Sequence, residues 1–172
     1  KYVMCKRSGG VITVQLLKDL KIVLTDCDGV LTDGGMYYYD NGVEGKKFNT
    51  KDGMAFHILK NNDIKVGIIT GEKTKIVENR AKKLNVDYLY MGIRDKYQIL
   101  LDICKQENIS LQNVAYLGDD INDLQVLQNV GFSACPKDAQ KDVKNVCKYI
   151  SNKNGGEGVV RDFLESYLVI HE

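Results

Sequence analysis

The sequence predicts an α/β fold, a doubly wound parallel sheet with a β-hairpin inserted after the first strand. Apolar runs rich in β-branched and aromatic residues recur at 22–25, 66–70, 87–91, 114–118, 131–134 and 147–150, most of them separated by stretches with helical spacing. Strand alternating with helix implies parallel pairing through crossovers. Val66-Gly67-Ile68-Ile69 and Val114-Ala115-Tyr116-Leu117 are near-continuously apolar, as strands covered on both faces are. A length of 172 residues suits one domain with a sizeable core.

Taken in order, residues 1–20 hold an amphipathic patch from Val11 to Leu20 and read as an extension of unknown role, with 21–172 as a single domain. Lys1 is not an initiator Met, which leaves open whether the extension joins this domain to another enzyme. The strand Ile22-Val23-Leu24-Thr25 breaks into Asp26-Cys27-Asp28-Gly29, where Cys27 is expected to face the core. Met36-Tyr37-Tyr38-Tyr39, Asp40-Asn41-Gly42 and Glu44 to Asn49 then read as a hairpin closed by an Asn-Gly type I′ turn. A lone hairpin is marginal in water, so this one must pack on its own domain or on another subunit. Segment 73–84 sets Ile76, Val77, Arg80, Ala81 and Leu84 on one helical face, and 95–107 does so with Ile99, Leu100, Ile103 and Cys104. Both read as crossover helices.

Composition narrows the function. With 24 basic and 23 acidic residues, a net charge of +1 and no Trp, the chain has no basic block for a nucleic-acid surface, and a small-molecule substrate is expected. The five cysteines, Cys5, Cys27, Cys104, Cys135 and Cys147, form no CxxC pair and predict neither a disulfide framework nor a zinc site. No apolar run approaches the roughly 18 residues of a membrane span, and Lys1 to Gly10 has no signal-peptide character, so a soluble, cytoplasmic protein is expected.

The acids at Asp26 and Asp28 are the first candidate reaction centre. A turn at Gly29 lets both carboxylates address one pocket, and clustered acids need a cation, for which magnesium, a hard ion bound through oxygen, is suited. Three more predicted strand ends carry matching chemistry. Thr70-Gly71 offers a hydroxyl and an amide to a phosphate oxygen, although Thr-Gly is also a common helix cap. Lys96 opens the 95–107 helix, where a cation opposes the helix dipole and so suggests a use as a point charge. Gly118-Asp119-Asp120-Ile121-Asn122-Asp123 sets three carboxylates after a buried strand, in the manner of a magnesium shelf.

In that order, Asp26-Cys27-Asp28-Gly29, Thr70-Gly71, Lys96 and Gly118-Asp119-Asp120 with Asp123 resemble the haloacid dehalogenase superfamily of phosphohydrolases, over about residues 20–168. The resemblance implies a Rossmann-like fold in which Asp26 is the nucleophile and Asp28 the general acid and base. It also implies that Asp26, Asp119 and the backbone carbonyl of Asp28 bind magnesium, that Thr70, Gly71 and Lys96 hold the phosphoryl group, and that Asp120 and Asp123 support them. The short span between the acidic turn and Thr70 leaves no room for a cap domain. Capless members of this pattern are similar to the 3-deoxy-ulosonate phosphate phosphatases, homotetramers built through the hairpin.

Glu72 after Thr70-Gly71, where octulosonate members usually carry Arg, resembles the nonulosonate branch, in which this Glu and a helical Lys, here Lys83, help select the substrate. A nonulosonate 9-phosphate is therefore expected, with octulosonate 8-phosphate as the rival. The tail Gly155-Gly156-Glu157-Gly158-Val159-Val160-Arg161 resembles the family's Gly-rich segment, which reaches a neighbouring subunit's site. Arg161 is then expected to meet a substrate carboxylate, and a chain cut before Gly155 to lose activity without unfolding. The same glycines also read as a flexible loop. A second reading is a non-catalytic phosphatase-like or receiver-like module, such as a domain of a sugar-acid cytidylyltransferase. Asp28 and Asp119 argue against it, since a receiver needs no second acid and a silent module needs no complete set.

Overall fold

Each predicted apolar run becomes a strand: β1 (Ile22–Thr25), β4 (Lys65–Thr70), β5 (Tyr88–Met91), β6 (Val114–Leu117), β7 (Phe132–Cys135) and β8 (Tyr149–Ile150), with β2 (Tyr37–Tyr38) and β3 (Glu44–Gly45) forming the hairpin. The fold is that of a computed structural model in which residues 19–168 are described. The 1–20 extension, but for Asp19 and Leu20, lies outside them, and so does Cys5. The six strands form one parallel sheet in the order β5-β4-β1-β6-β7-β8. From β1 the chain winds to one edge through β4 and β5, then returns to β6 and winds to the other. The reversal falls between β1 and β6, the position where open α/β sheets build their ligand crevice at the strands' carboxyl ends.

Among the described residues the sheet is covered by α1 (Thr50–Asn61), α2 (Lys75–Leu84), α3 (Lys96–Glu107), α4 (Leu124–Asn129), α5 (Lys141–Val146) and α6 (Val159–Asp162), the last continuing through Phe163–Leu168 as a π-helical segment. Asn49, Thr74 and Asp95 cap α1, α2 and α3 by accepting from Lys51, Val77 and Gln98 amides, which satisfies donors a helix start leaves open. Alternate strand residues feed two cores. Val23, Val66, Ile68 and Ala115 pack with Phe56, Val77 and Phe163 on one face, and Ile22, Leu24, Ile69 and Tyr116 with Leu100, Ile103 and Val126 on the other. Cys27 is fully buried in the first core, as expected. No helix among the described residues is long and apolar enough to cross a membrane.

The hairpin turn differs from the type I′ expectation. Gly42 N–H donates to the Tyr39 carbonyl (2.8 Å) and Tyr39 N–H to the Val43 carbonyl (3.0 Å). Gly42 alone is left-handed (φ 77°), whereas a type I′ turn over Asn41-Gly42 needs positive φ at both. Asn41 instead accepts the Val43 amide on its side chain (3.1 Å), an Asx-type contact that stabilises the type I turn with a following bulge.

The Gly-rich tail is part of the packed fold rather than a flexible loop. A Cβ on Gly155 would lie 2.1 Å from the Gly29 carbonyl oxygen, and the Gly156 amide donates to the Val30 carbonyl (3.0 Å). Beyond the glycines, Val159, Val160, Phe163, Leu164 and Leu168 complete the first core, and buried Asp52 on α1 accepts the Val160 amide (2.9 Å). The expectation that a cut before Gly155 spares the fold is therefore corrected, because the cut removes five core side chains. Phe163→Ala should cost about 3–5 kcal/mol in urea unfolding, and a chain ended at residue 154 should lose its cooperative transition.

Candidate functional site

The site grows from adjacent carboxyl ends of β1 and β6. Thr25 pairs with Leu117, and the Asp26 amide donates to the Leu117 carbonyl (2.9 Å), so Asp26 emerges beside Gly118-Asp119. On the other side Thr25 pairs with Ile68, which puts Thr70, itself 1 % exposed, two residues farther along β4. The four predicted strand ends thus share one end of the sheet.

At its centre lies Lys96, with a side chain wholly buried. Its Nζ sits 3.0 Å from Asp26 Oδ2 and 2.8 Å from Asp123 Oδ1. This explains a lysine at a helix start, since two anions offset the unfavourable meeting of its charge with the helix dipole. Asp123 is wholly buried and saturated: Oδ1 also accepts the Tyr116 hydroxyl (2.7 Å), and Oδ2 accepts the Asp119 and Asp120 amides (3.1 and 3.5 Å). It is an anchor that fixes Lys96 and the 118–123 loop. Asp120 is exposed and accepts the amide of Ile121 (2.7 Å), capping the short turn over Ile121–Asp123.

Oxygens of Asp26, Asp119 and Asp123 fall within 4.8 Å of one another, with Lys96 as the cation among them. Burial, then the Asp123 charge, pushes the Asp26 carboxyl up to about 7 against the pull of Lys96. Burial, then Asp26, Asp123 and Asp120, pushes Asp119 up to about 8. Asp119 Oδ1 is buried without a hydrogen-bond partner. A purely oxygen donor set with one orphaned carboxylate oxygen fits a hard divalent cation. The close approach depends on Gly29: its φ is +83°, and a Cβ there would stand 2.0 Å from Asp119 Oδ2.

Asp28 addresses a different lysine. Its Oδ1 accepts from Thr32 Oγ1 (3.2 Å) and from Lys46 Nζ (2.6 Å), and the same Nζ donates to Glu72 Oε2 (2.7 Å). The Lys46 side chain is 1 % exposed. Sequence reasoning passed over this residue, because a lysine beside a second lysine in a hairpin reads as a solvated charge. Thr70 Oγ1 accepts the Glu72 amide (3.3 Å), which brings Thr70, Gly71 and Glu72 together at one turn.

Two expected substrate residues are not brought to this cluster. Lys83 is exposed in the last turn of α2, lining a groove with His57, Lys60 and Arg80, because α2 starts at the site end of the sheet and runs away from it. Arg161 on α6 is held by Glu165 (Nε to Oε1, 2.6 Å) and lines a cavity of about 620 Å³ with Lys51, Lys153 and Glu157.

Residues 91–163 match the haloacid dehalogenase-like hydrolase family. The chain is 37 % identical over 152 residues to the 3-deoxy-D-manno-octulosonate 8-phosphate phosphatase of Escherichia coli K12, covering 88 % of this chain and 81 % of that protein. It superposes with TM-score 0.86 on the Moraxella catarrhalis phosphatase of that name, solved with magnesium, phosphate and KDO, at 35 % identity over 91 % of this chain and 90 % of that one. The cobalt-bound Haemophilus influenzae phosphatase gives TM-score 0.84 at 33 % identity, over 91 % of each chain.

The raised carboxyls make a prediction for cation-free protein. An unfolded aspartate ionises near 3.8 and Asp119 near 8. Between those values the folded chain holds a proton the unfolded chain has lost, so stability falls as pH rises through the window. With chelator present, the melting temperature should fall from pH 5 to pH 8, and Asp119→Asn should remove roughly 5 °C or more of that fall.

Proposed function

Because the chain belongs to the haloacid dehalogenase-like hydrolases, in the group of the 3-deoxy-D-manno-octulosonate 8-phosphate phosphatases, it is a phosphatase, and we propose that it removes the terminal phosphate of a 3-deoxy-ulosonate through an aspartyl phosphate on Asp26. The observation that carries this reading is the buried Asp26–Lys96–Asp123 chain beside the unpaired Oδ1 of Asp119. It sets the Asp26 carboxyl next to a buried ammonium and an oxygen with no hydrogen-bond partner, which supports Asp26 as nucleophile and Asp119 as a metal ligand.

Asp26 attacks phosphorus while the bond to the sugar oxygen breaks, and Asp28 gives its proton to the departing alkoxide. A water then attacks the same phosphorus and passes its proton to Asp28, releasing phosphate and restoring the Asp26 carboxylate. Splitting the hydrolysis this way makes each displacement easier. Thr70 and the Gly71 amide take phosphoryl oxygens, and Lys96 places a positive charge on the group in transfer. Asp26, Asp119 and the backbone carbonyl of Asp28 would hold magnesium, which when bound offsets phosphoryl charge. Asp123 fixes Lys96, and Asp120 shapes the loop.

As substrate, a nonulosonate 9-phosphate is favoured over octulosonate 8-phosphate. Glu72, whose side chain is 44 % exposed and tied through Lys46 to Asp28, supports this, because an acid there meets hydroxyls of the sugar just released. The domain spans 21–172 and works in the cytoplasm as a homotetramer. Its hairpin exposes Met36, Tyr37, Tyr38, Tyr39 and Val43, with Tyr38 69 % accessible, an apolar surface suited to a second copy. In the tetramer Arg161 would meet the carboxylate of a substrate bound by a neighbour, a contact guanidinium makes with two parallel bonds.

Phosphate release from both sugar acids should require magnesium, with the nonulosonate ester giving the higher kcat/KM. Asp26→Asn should abolish release, and Asp28→Asn should lower kcat roughly 10²–10⁴-fold. Release that survives Asp26→Asn removes the nucleophile assignment. Light scattering should give the mass of four chains, falling on Tyr38→Glu. An unchanged mass in that variant places the interface elsewhere.

A further inference from the structure

We propose that Lys46 is a positioning residue for proton transfer to the leaving group, fixing the acid Asp28 and the selectivity residue Glu72 against one buried ammonium. The inference rests on the phosphatase reading above and names a residue which that reading does not use.

A lysine side chain is almost never buried unless paired. Here the ammonium is 1 % exposed while its two partners keep 28 % and 44 % of their side-chain surface. That asymmetry is unlike an ion pair sealed in a core, since the cation lies behind two carboxylates that face the open site. Neighbouring Lys47, 63 % exposed and 3.8 Å from Asp33, shows how an ordinary hairpin lysine sits.

The contacts on Asp28 are one-sided. Lys46 Nζ and Thr32 Oγ1 both donate to Oδ1, and no described residue donates to Oδ2. Two donors occupy Oδ1, which leaves Oδ2 as the oxygen open to exchange a proton with the leaving group. On transfer the Oδ2–H bond breaks as the leaving alkoxide gains that hydrogen, and the resulting carboxylate is met by the ammonium already bound at Oδ1. The second hydrogen bond, to Glu72 Oε2 at 2.7 Å, holds the residue that contacts the sugar beside the residue that protonates it. A misplaced sugar would therefore also be a poorly protonated one.

The test compares leaving groups. With magnesium present, kcat/KM is measured for the best ulosonate phosphate, whose alkoxide needs a proton, and for p-nitrophenyl phosphate, whose phenolate does not. Lys46→Met should lose at least about tenfold more on the alkyl ester than on the aryl ester, and Lys46→Arg, which keeps the charge, should recover part of the difference. Asp28→Asn sets the pattern expected for loss of the acid. Equal losses on the two esters in Lys46→Met would overturn the proposal, since a purely structural lysine affects both alike. If Lys46→Met does not fold, the same comparison is read on Lys46→Gln, with the same outcomes deciding. A folded wild-type protein inactive on both esters would instead sink the phosphatase reading, and this inference with it.

Discussion

The buried ammonium of Lys96 is the constraint on which the site depends. Three acids, Asp26, Asp119 and Asp123, converge where β1 and β6 end, and Lys96 is the cation placed among them. Removing two or three charges from water costs several kcal/mol each, and such a cluster persists only when every group is paired or hydrogen-bonded. Asp123 is saturated by Lys96, Tyr116 and two amides. Asp26 has Lys96 and the Cys27 amide (2.7 Å). Asp119 is left with an unpaired oxygen. Lys96 is thus one cation against three carboxyls, and the raised pKa values of Asp26 and Asp119 follow from burial and this shortage of cations. A site built to receive a metal looks like this when its own charges are counted.

Topology supplies the precision that such a cluster needs. The reversal of winding between β1 and β6 puts two strand ends side by side with their loops splayed apart, and α3 delivers Lys96 from the face that carries the second core. On the opposite face, Lys46, Asn49 and Asp52 lie between the hairpin and the first turn of α1. Asn49 caps α1 and donates from its side chain to the Gly156 carbonyl (3.1 Å). Arg80 donates to the Asn49 carbonyl (2.9 Å). The same short segment therefore carries the lysine that holds Asp28 and the side chains that hold the tail.

Much of this was legible in the sequence because it is local. β-branched runs announced the strands, and the acids following two of them announced the carboxylate cluster. What stayed hidden depends on partners far along the chain. Lys46 reaches Asp28 and Glu72, 18 and 26 residues away, and nothing next to it separates it from Lys47. Helix α1 hides its apolar period because its buried stripe includes the charged Asp52, while apolar Met54 stands on the exposed face. The tail glycines read as flexible, although they are the residues small enough to lie against the Gly29–Asp33 backbone. Lys83 and Arg161 came from resemblance rather than geometry, and within one chain neither reaches Asp26.

The tail's attachment rests on another such distant contact. Asp52 Oδ1 accepts the Val160 and Arg161 amides (2.9 and 3.3 Å), the open donors at the start of α6, where a carboxylate also meets the positive end of the helix dipole. Burial pushes that carboxyl up to about 6, against those amides and Arg80, so its charge is held at a cost. A hydrophobic side chain in its place would pack without that cost and leave the buried Val160 amide and the half-buried Arg161 amide without that partner. The carboxylate thus fixes the direction in which α6 leaves the glycine turn, and with it the point from which Arg161 projects. The turn lies on Gly29 and Thr32, next to Asp28, so a shift of α6 would displace the backbone that positions the acid. Tail and acidic turn therefore rest on the same stretch of backbone, and the last core element packs against the loop that follows the first strand.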